Sequence, residues 1–171
     1  MYLDMLKKIS LCVLALCLFA CSSAAGPGQC RVLIVLQATK SVNPDRTGES
    51  LPTVVRFFQL KDIASLKNAS FQDIWQREAE VLGKDLSDVH ETTIYPADRQ
   101  TQVIPIKDDA VYLAAGALFR TPQGNYWRTY TKLPPFGTKD RCLEDEPGGP
   151  YYFQVDGTRV KGSEKPIPLV R

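Results

Sequence analysis

Between Lys8 and Cys21 the chain runs Ile-Ser-Leu-Cys-Val-Leu-Ala-Leu-Cys-Leu-Phe-Ala, twelve residues interrupted only by Ser10. A helix that crosses the roughly 30 Å apolar layer of a bilayer needs about 20 residues, so this run is too short to span one. Preceded by Lys7-Lys8, it has the form of a signal-peptide core. Residues 1–20 are therefore read as leaving before the fold forms. The other 151 of the 171 residues fold outside the cytoplasm, starting at Cys21.

The end of the run, Leu18-Phe19-Ala20-Cys21, resembles a bacterial lipobox, with Leu at −3, small Ala at −1 and Cys at +1. That resemblance implies a diacylglyceryl group on the Cys21 sulfur and an acyl chain such as palmitate on its amine. With each buried CH₂ contributing about 0.8 kcal/mol, several chains anchor a protein lastingly. Ser22-Ser23, rather than Asp, follow the cysteine, which implies sorting to the outer membrane, facing the periplasm. Ser22 to Gln29 are small, polar and broken by Gly and Pro, so residues 21–29 read as a lipidated tether and 30–171 as a single domain. Cys12 and Cys17 depart with the signal peptide. Cys30 and Cys142 remain, and in an oxidising compartment an even pair is most simply a disulfide. A ligand or nucleophile role would call for a Cys-x-x-Cys or Cys/His cluster, and neither cysteine sits in one.

The net charge of +2 falls to +1 when Asp4, Lys7 and Lys8 are removed, and no Lys/Arg run exists beyond Lys7-Lys8. Nucleic-acid binding is disfavoured on that ground. The 12 Pro and 11 Gly are spread through the chain, which suits a turn-rich β protein. Val32-Leu33-Ile34-Val35-Leu36 reads as a strand buried on both faces within 31–39. Residues 40–52 form a thirteen-residue loop, long for neighbouring strands and hence a functional candidate. A second strand is expected over 53–60. Phe71, Ile74, Trp75, Ala79 and Leu82 then follow helical spacing, with Ser70 and Asp73 as an N-terminal signature and Gly83 as the stop. Further strands are expected over 91–95, 101–107, 111–120 and 126–133. The last two are joined by the turn Thr121-Pro122-Gln123-Gly124-Asn125. Residues 134–150 read as irregular. A hairpin is expected from 151–155 and 159–160 across Asp156-Gly157, and an added edge strand at 167–170. Seven or eight short strands with one inserted α-helix describe a mostly β, two-sheet β-sandwich.

Chemistry is sparse. The mature chain has one histidine, His90, so no multi-histidine metal site or dyad can be built; His90 reads as a rim residue. Glu144-Asp145-Glu146 lacks the spaced ligands and mid-loop Gly of a calcium loop and reads as a solvated acidic stretch. Gly-x-Ser-x-Gly, phosphate-loop and His-Glu-x-x-His patterns are absent. No catalytic residue, metal or small-molecule substrate is assigned. Trp75, Trp127, Tyr126 and Tyr130 read as core and rim aromatics rather than a glycan platform. A large apolar pocket between the sheets would favour a periplasmic ligand carrier. An exposed Trp127/Tyr130 stripe beside paired carboxylates would favour a glycan-binding or glycan-active lipoprotein.

One ordered set of segments is more specific. It comprises Val42-Asn43-Pro44-Asp45, Pro52-Thr53-Val54-Val55-Arg56, Phe58-Gln59-Leu60-Lys61-Asp62, Ala69-Ser70-Phe71-Gln72-Asp73-Ile74-Trp75, Leu82-Gly83-Lys84-Asp85-Leu86, Ala114-Ala115-Gly116-Ala117-Leu118-Phe119-Arg120 and Trp127-Arg128. After a lipobox, this order resembles the outer-membrane lipoprotein of the type VI secretion system, the TssJ (SciN) family, over about 31–133. The resemblance implies a transthyretin-like sandwich with an added helix and no enzymatic activity. It also implies a partner, the periplasmic C-terminal domain of the inner-membrane subunit TssM, with TssL in the same envelope-spanning complex. The family's first inter-strand loop contributes to that contact. Here it maps to 40–52, with Val42, Asn43, Pro44, Asp45, Arg46, Thr47, Gly48 and Glu49 as its candidate contacts. The Cys30 and Cys142 pair and the Gly/Pro-rich stretch before Tyr151 lie outside the pattern.

Replacing Cys21 by Ser is expected to abolish palmitate labelling and move a folded protein from the membrane to the soluble fraction. Membrane retention of that variant would refute the lipobox assignment.

Overall fold

The computed structural model describes residues 30–135, 138, 141–143, 146–163 and 165–167; Cys21, the tether, and residues 144–145 and 168–171 lie outside the described residues. Strand β1 (Arg31–Val42) turns Val32, Ile34, Leu36 and Ala38 inward, while Val35 and Gln37 on its other face are also buried. It continues three residues past the expected end, which shortens the long loop to 43–52. Strand β2 (Thr53–Leu60) begins and ends where the sequence places it. A short helix that the sequence reading does not anticipate follows, α1 (Ala64–Asn68), opened by the Asp62 carboxylate accepting from the Ala64 N–H at 2.7 Å.

Helix α2 (Phe71–Leu82) starts at the expected capping box: the Ser70 hydroxyl accepts from the Asp73 N–H, and Asp73 returns a bond to the Ser70 N–H. It stops at Gly83, whose φ of +48° a side chain rarely tolerates. A 3-10 turn (Gly83–Asp85) leads directly into β3 (Leu86–Ile94). This strand starts five residues earlier than expected, because β2 offers partners along its whole length, from Thr53 opposite Ile94 to Leu60 opposite Leu86. Strands β4 (Arg99–Pro105), β5 (Tyr112–Ala117) and β6 (Arg128–Lys132) come next, all shorter than or offset from their expected bounds. The chain then forms β7 (Cys142–Leu143), β8 (Glu146–Gly157) and β9 (Arg159–Ser163).

Two sheets result. One runs β4-β1-β8-β7, with β9 also paired to β8; the other runs β3-β2-β5-β6. This is the expected mostly β sandwich, with nine strands among the described residues; β7 has only two residues. The irregular reading of 134–150 is corrected at Glu146–Pro150. These residues extend β8 as a central strand that runs parallel to β1, from Ile34 opposite Tyr151 to Ala38 opposite Val155. Gly148 is required there, because a Cβ would fall into the backbone carbonyl of Arg141. The hairpin at Asp156-Gly157 is present, with Asp156 opposite Arg159. Of the expected edge strand, only Ile167 is described, and it lies in no strand; its carbonyl accepts from Gln37 Nε2 at 3.3 Å.

The space between the sheets is filled. Phe57 and Phe153 meet across it with ring centroids 5.4 Å apart, among fully buried Ile34, Leu36 and Val55. Buried Gln59 ties one sheet to the other, donating to the Pro105 carbonyl and accepting from the Lys107 N–H, both at 2.8 Å. Both ends of its amide are thus satisfied. A cleft of about 190 Å³, small for a ligand site, lies where the sheets meet at β6 and β9, lined by Tyr130, Thr131, Phe153 and Gly162, and a more open one of about 540 Å³ lies beside Val111, Leu133 and Arg141. The two helices cover the outer face of the β2 sheet. Trp127 is buried there in edge contact with Phe71, and the Arg128 guanidinium stacks on it while donating to the Ala69 and Lys67 carbonyls at the end of α1. Only Tyr130 of the pair is exposed, so Trp127 and Tyr130 form no glycan-stacking stripe. His90 is half-buried on β3, with Nε2 2.9 Å from Gln102 Oε1 of β4.

Cys30 and Cys142 are joined as a disulfide, with Cα atoms 5.6 Å apart and 112 residues apart in sequence. It ties the start of β1 to β7. A loop of that length constrains the unfolded chain by about 4 to 5 kcal/mol in the chain-entropy description. The Cys30→Ser, Cys142→Ser double variant is expected to lose several kcal/mol of unfolding free energy in urea, and a loss below about 1 kcal/mol would show that the bond contributes little.

Candidate functional site

The loop 43–52 leaves β1 in one sheet and enters β2 in the other, so it closes one end of the sandwich. The structure divides its eight candidate residues by depth. Val42 is fully buried and Asn43 is 5% exposed; Pro44 and Asp45 are half-buried; Arg46, Thr47, Gly48 and Glu49 are exposed. Val42 and Asn43 therefore build the floor of the loop, and the residues after them form its surface.

Asn43 adopts φ +47°, a left-handed conformation in which Asn is among the least strained non-glycine residues. Its backbone N–H donates to the Gly157 carbonyl at 2.8 Å, joining the loop to the β8–β9 turn. Its Oδ1 accepts from the Arg120 N–H at 2.9 Å, joining it to the loop after β5, and its Nδ2 makes a longer bond to the Pro52 carbonyl at 3.4 Å. Two further bonds tighten this end: Thr53 Oγ1 donates to the Leu118 carbonyl at 2.7 Å, and the Ala97 N–H donates to the Thr39 carbonyl at 3.1 Å. Asn43, through its backbone N–H and its side-chain amide together, thus gathers three chain segments at one end of the sandwich.

Above Asn43, Asp45 orders the exposed part. Its Oδ1 accepts from Thr47 Oγ1 at 2.7 Å, from the Thr47 N–H at 2.8 Å and from the Glu49 N–H at 2.9 Å. Those bonds, the Thr47 hydroxyl first, hold the Asp45 carboxyl below the usual carboxylate range. The order they confer is present at neutral pH and is lost as acid carries the pH down through that lowered value. Gly48, at φ +88°, closes the turn with its N–H on the Asp45 carbonyl.

Residues that sequence reasoning did not assign to the site share this face. Tyr95, Leu118 and Tyr126 are exposed, and the Arg159 guanidinium lies 4.4 Å from the centroid of the Tyr126 ring. Tyr95 follows β3, Leu118 and Tyr126 lie between β5 and β6, and Arg159 opens β9, so no single spacing in the sequence links them. A group of three or more metal-ligating side chains does not occur among the described residues. Replacing Asn43 by Ala is expected to cost about 2 kcal/mol in urea unfolding, through the lost side-chain bonds and the strained backbone, whereas Asn43→Gly, which keeps the backbone free, costs about half as much. Equal losses would show that the backbone conformation does not matter.

The family model described as "Type VI secretion lipoprotein, VasD, EvfM, TssJ, VC_A0113" matches residues 31–145, about two thirds of the chain. No curated protein matches it. Among solved structures, the T6SS lipoprotein TssJ1 from Pseudomonas aeruginosa aligns with a TM-score of 0.68 at 19% identity, over 82% of this chain and 99% of its own. Lip from Serratia marcescens, described as a membrane bound component of the Type VI Secretion System, aligns at 0.68 with 21% identity, over 78% of this chain and 96% of its own. A chain of the structure described as the T6SS protein TssM C-terminal domain from EAEC aligns at 0.64 with 23% identity, over 80% of this chain and 98% of its own. At such identities these likenesses speak to the fold, and the fold agrees with the family that the sequence matches. The chain belongs to the type VI secretion lipoprotein family, TssJ (SciN).

Proposed function

We propose that this chain is the outer-membrane anchor of a type VI secretion membrane complex. Lipid on Cys21 holds it to the inner leaflet of the outer membrane, facing the periplasm. The loop face then binds the periplasmic C-terminal domain of the inner-membrane subunit TssM, with TssL in the same complex. The observation that carries this reading is the placement of the two ends of β1. The tether enters at Cys30, immediately before Arg31, and the loop face begins at Val42, where the strand ends. Twelve extended residues separate these points by roughly 35 to 40 Å. A sandwich tethered at the Cys30 end directs its ordered loop away from the membrane and toward a periplasmic partner.

Two further observations support the reading. The loop is ordered by Asn43 and Asp45 before any partner arrives, so less conformational entropy is lost on docking. Chains of this fold also occur in structures described as a type VI membrane complex and as the TssM C-terminal domain. The role is one of attachment, and it requires no catalytic group or cofactor beyond the covalent lipid. The filled space between the sheets gives no support to a ligand carrier.

Deleting 47–50, or exchanging the charges of Asp45 and Arg46, is expected to weaken capture of the TssM periplasmic domain at least about tenfold while shifting Tm little. Undiminished capture by both variants would move the contact away from this loop.

A further inference from the structure

Taking the loop face as the docking surface, we infer that the contact extends past the β1–β2 loop to the Tyr126–Arg159 pair and Arg120, and that the partner domain meets it with a carboxylate-bearing surface. The charges on this end are unequally committed. Asp45 is held by Thr47 and the Glu49 N–H; Asp98 accepts from the Arg99 N–H at 2.7 Å and from Gln100 Nε2 at 3.0 Å; Asp156 accepts from Thr39 Oγ1 at 3.0 Å and pairs with Lys161 at 3.5 Å. All three carboxylates are used inside the fold, leaving Glu49 as the uncommitted one among the described residues. The guanidiniums of Arg46, Arg120 and Arg159 are exposed, and none makes an ion pair among the described residues.

The groups left free to bond a partner on this face are therefore mainly guanidiniums, although the whole chain is nearly neutral. All three cations are Arg, whose planar fork takes a carboxylate through two parallel hydrogen bonds. Arg159 is already laid over Tyr126, so part of its rotamer freedom is spent before binding. Apolar area accompanies this charge: Tyr95 is 58%, Tyr126 55% and Leu118 39% exposed, half of the exposed large apolar side chains among the described residues. Tyr and Arg at the centre of a face are the residue types that dominate binding energy at protein interfaces. The face lies at the far end of β1 from Cys30.

The test measures Kd between the full-length lipoprotein in detergent and the purified periplasmic domain of the TssM subunit, at several NaCl concentrations. The unmodified chain is expected to bind several-fold more weakly as NaCl rises from about 50 to 300 mM. Arg120→Glu and Arg159→Glu should each raise Kd about tenfold or more, and Tyr126→Ala by a comparable factor, with unchanged Tm. Lys84→Glu, on the 3-10 turn at the opposite end, should bind as the unmodified chain does. Salt-independent binding, or equal Kd for the Arg120, Arg159 and Lys84 variants, would overturn the inference while leaving the TssM reading intact. Absence of any binding by the unmodified chain would overturn both. Loss of binding to anionic phospholipid vesicles in the Arg variants, with domain binding unchanged, would assign the cations to a membrane and refute the carboxylate partner.

Discussion

Strand β1 is hydrogen-bonded along both edges, antiparallel to β4 and parallel to β8, and its residues are buried on both faces. A strand so enclosed cannot slip by one residue without exchanging its whole inward set, Val32, Ile34, Leu36 and Ala38, for the outward one. Its register therefore fixes the rest of the sheet. It also fixes the distance between the molecule's two working ends, because Cys30 precedes it and Asn43 follows it. The disulfide fastens the first end to β7, and Asn43 fastens the second to the β5–β6 connection by its side-chain oxygen and to the β8–β9 turn by its backbone N–H. The proposed lipid anchor at one end and the proposed docking face at the other are thus joined by a single central strand.

The two ends are ordered by different means. At the tether end the link is covalent. At the loop end it is a set of hydrogen bonds radiating from two short polar side chains, Asn43 below and Asp45 above. Such an arrangement keeps the loop in one shape without making it part of the hydrophobic core. It leaves Arg46, Thr47, Gly48 and Glu49 outside, free to meet another surface. It also uses up Asp45, Asp98 and Asp156 in holding the fold, which is why a face with both signs of charge presents mainly guanidinium.

Legibility in the sequence followed sequence distance. Helix α2, its capping box and Gly83 were readable because a helix and its caps depend on residues three or four apart. Strand β2 and the Asp156-Gly157 hairpin were readable because alternation and turn chemistry are local too. Helix α1 was not, since five residues carry little periodicity and its end is held by Arg128, some sixty residues away. The region before Tyr151 was misread for the same reason. Pro147, Gly148, Gly149 and Pro150 look irregular alone, yet Gly148 pairs with Val32 of β1, and the absence of its side chain is what admits the Arg141 carbonyl.

The site shows the same division. By itself the sequence determined the pairing of Cys30 with Cys142, the two-sheet class and the position of the long loop, and it alone carries the proposal of a lipid site at Cys21, all of them resting on composition, short motifs or counting. The tertiary structure alone decided that Val42 and Asn43 lie beneath the loop rather than on it, that β1 and β8 run parallel, and that Tyr95, Arg120, Tyr126 and Arg159 share one face. Those relations join residues up to a hundred or more positions apart, and only the closing of two sheets over one core brings them together.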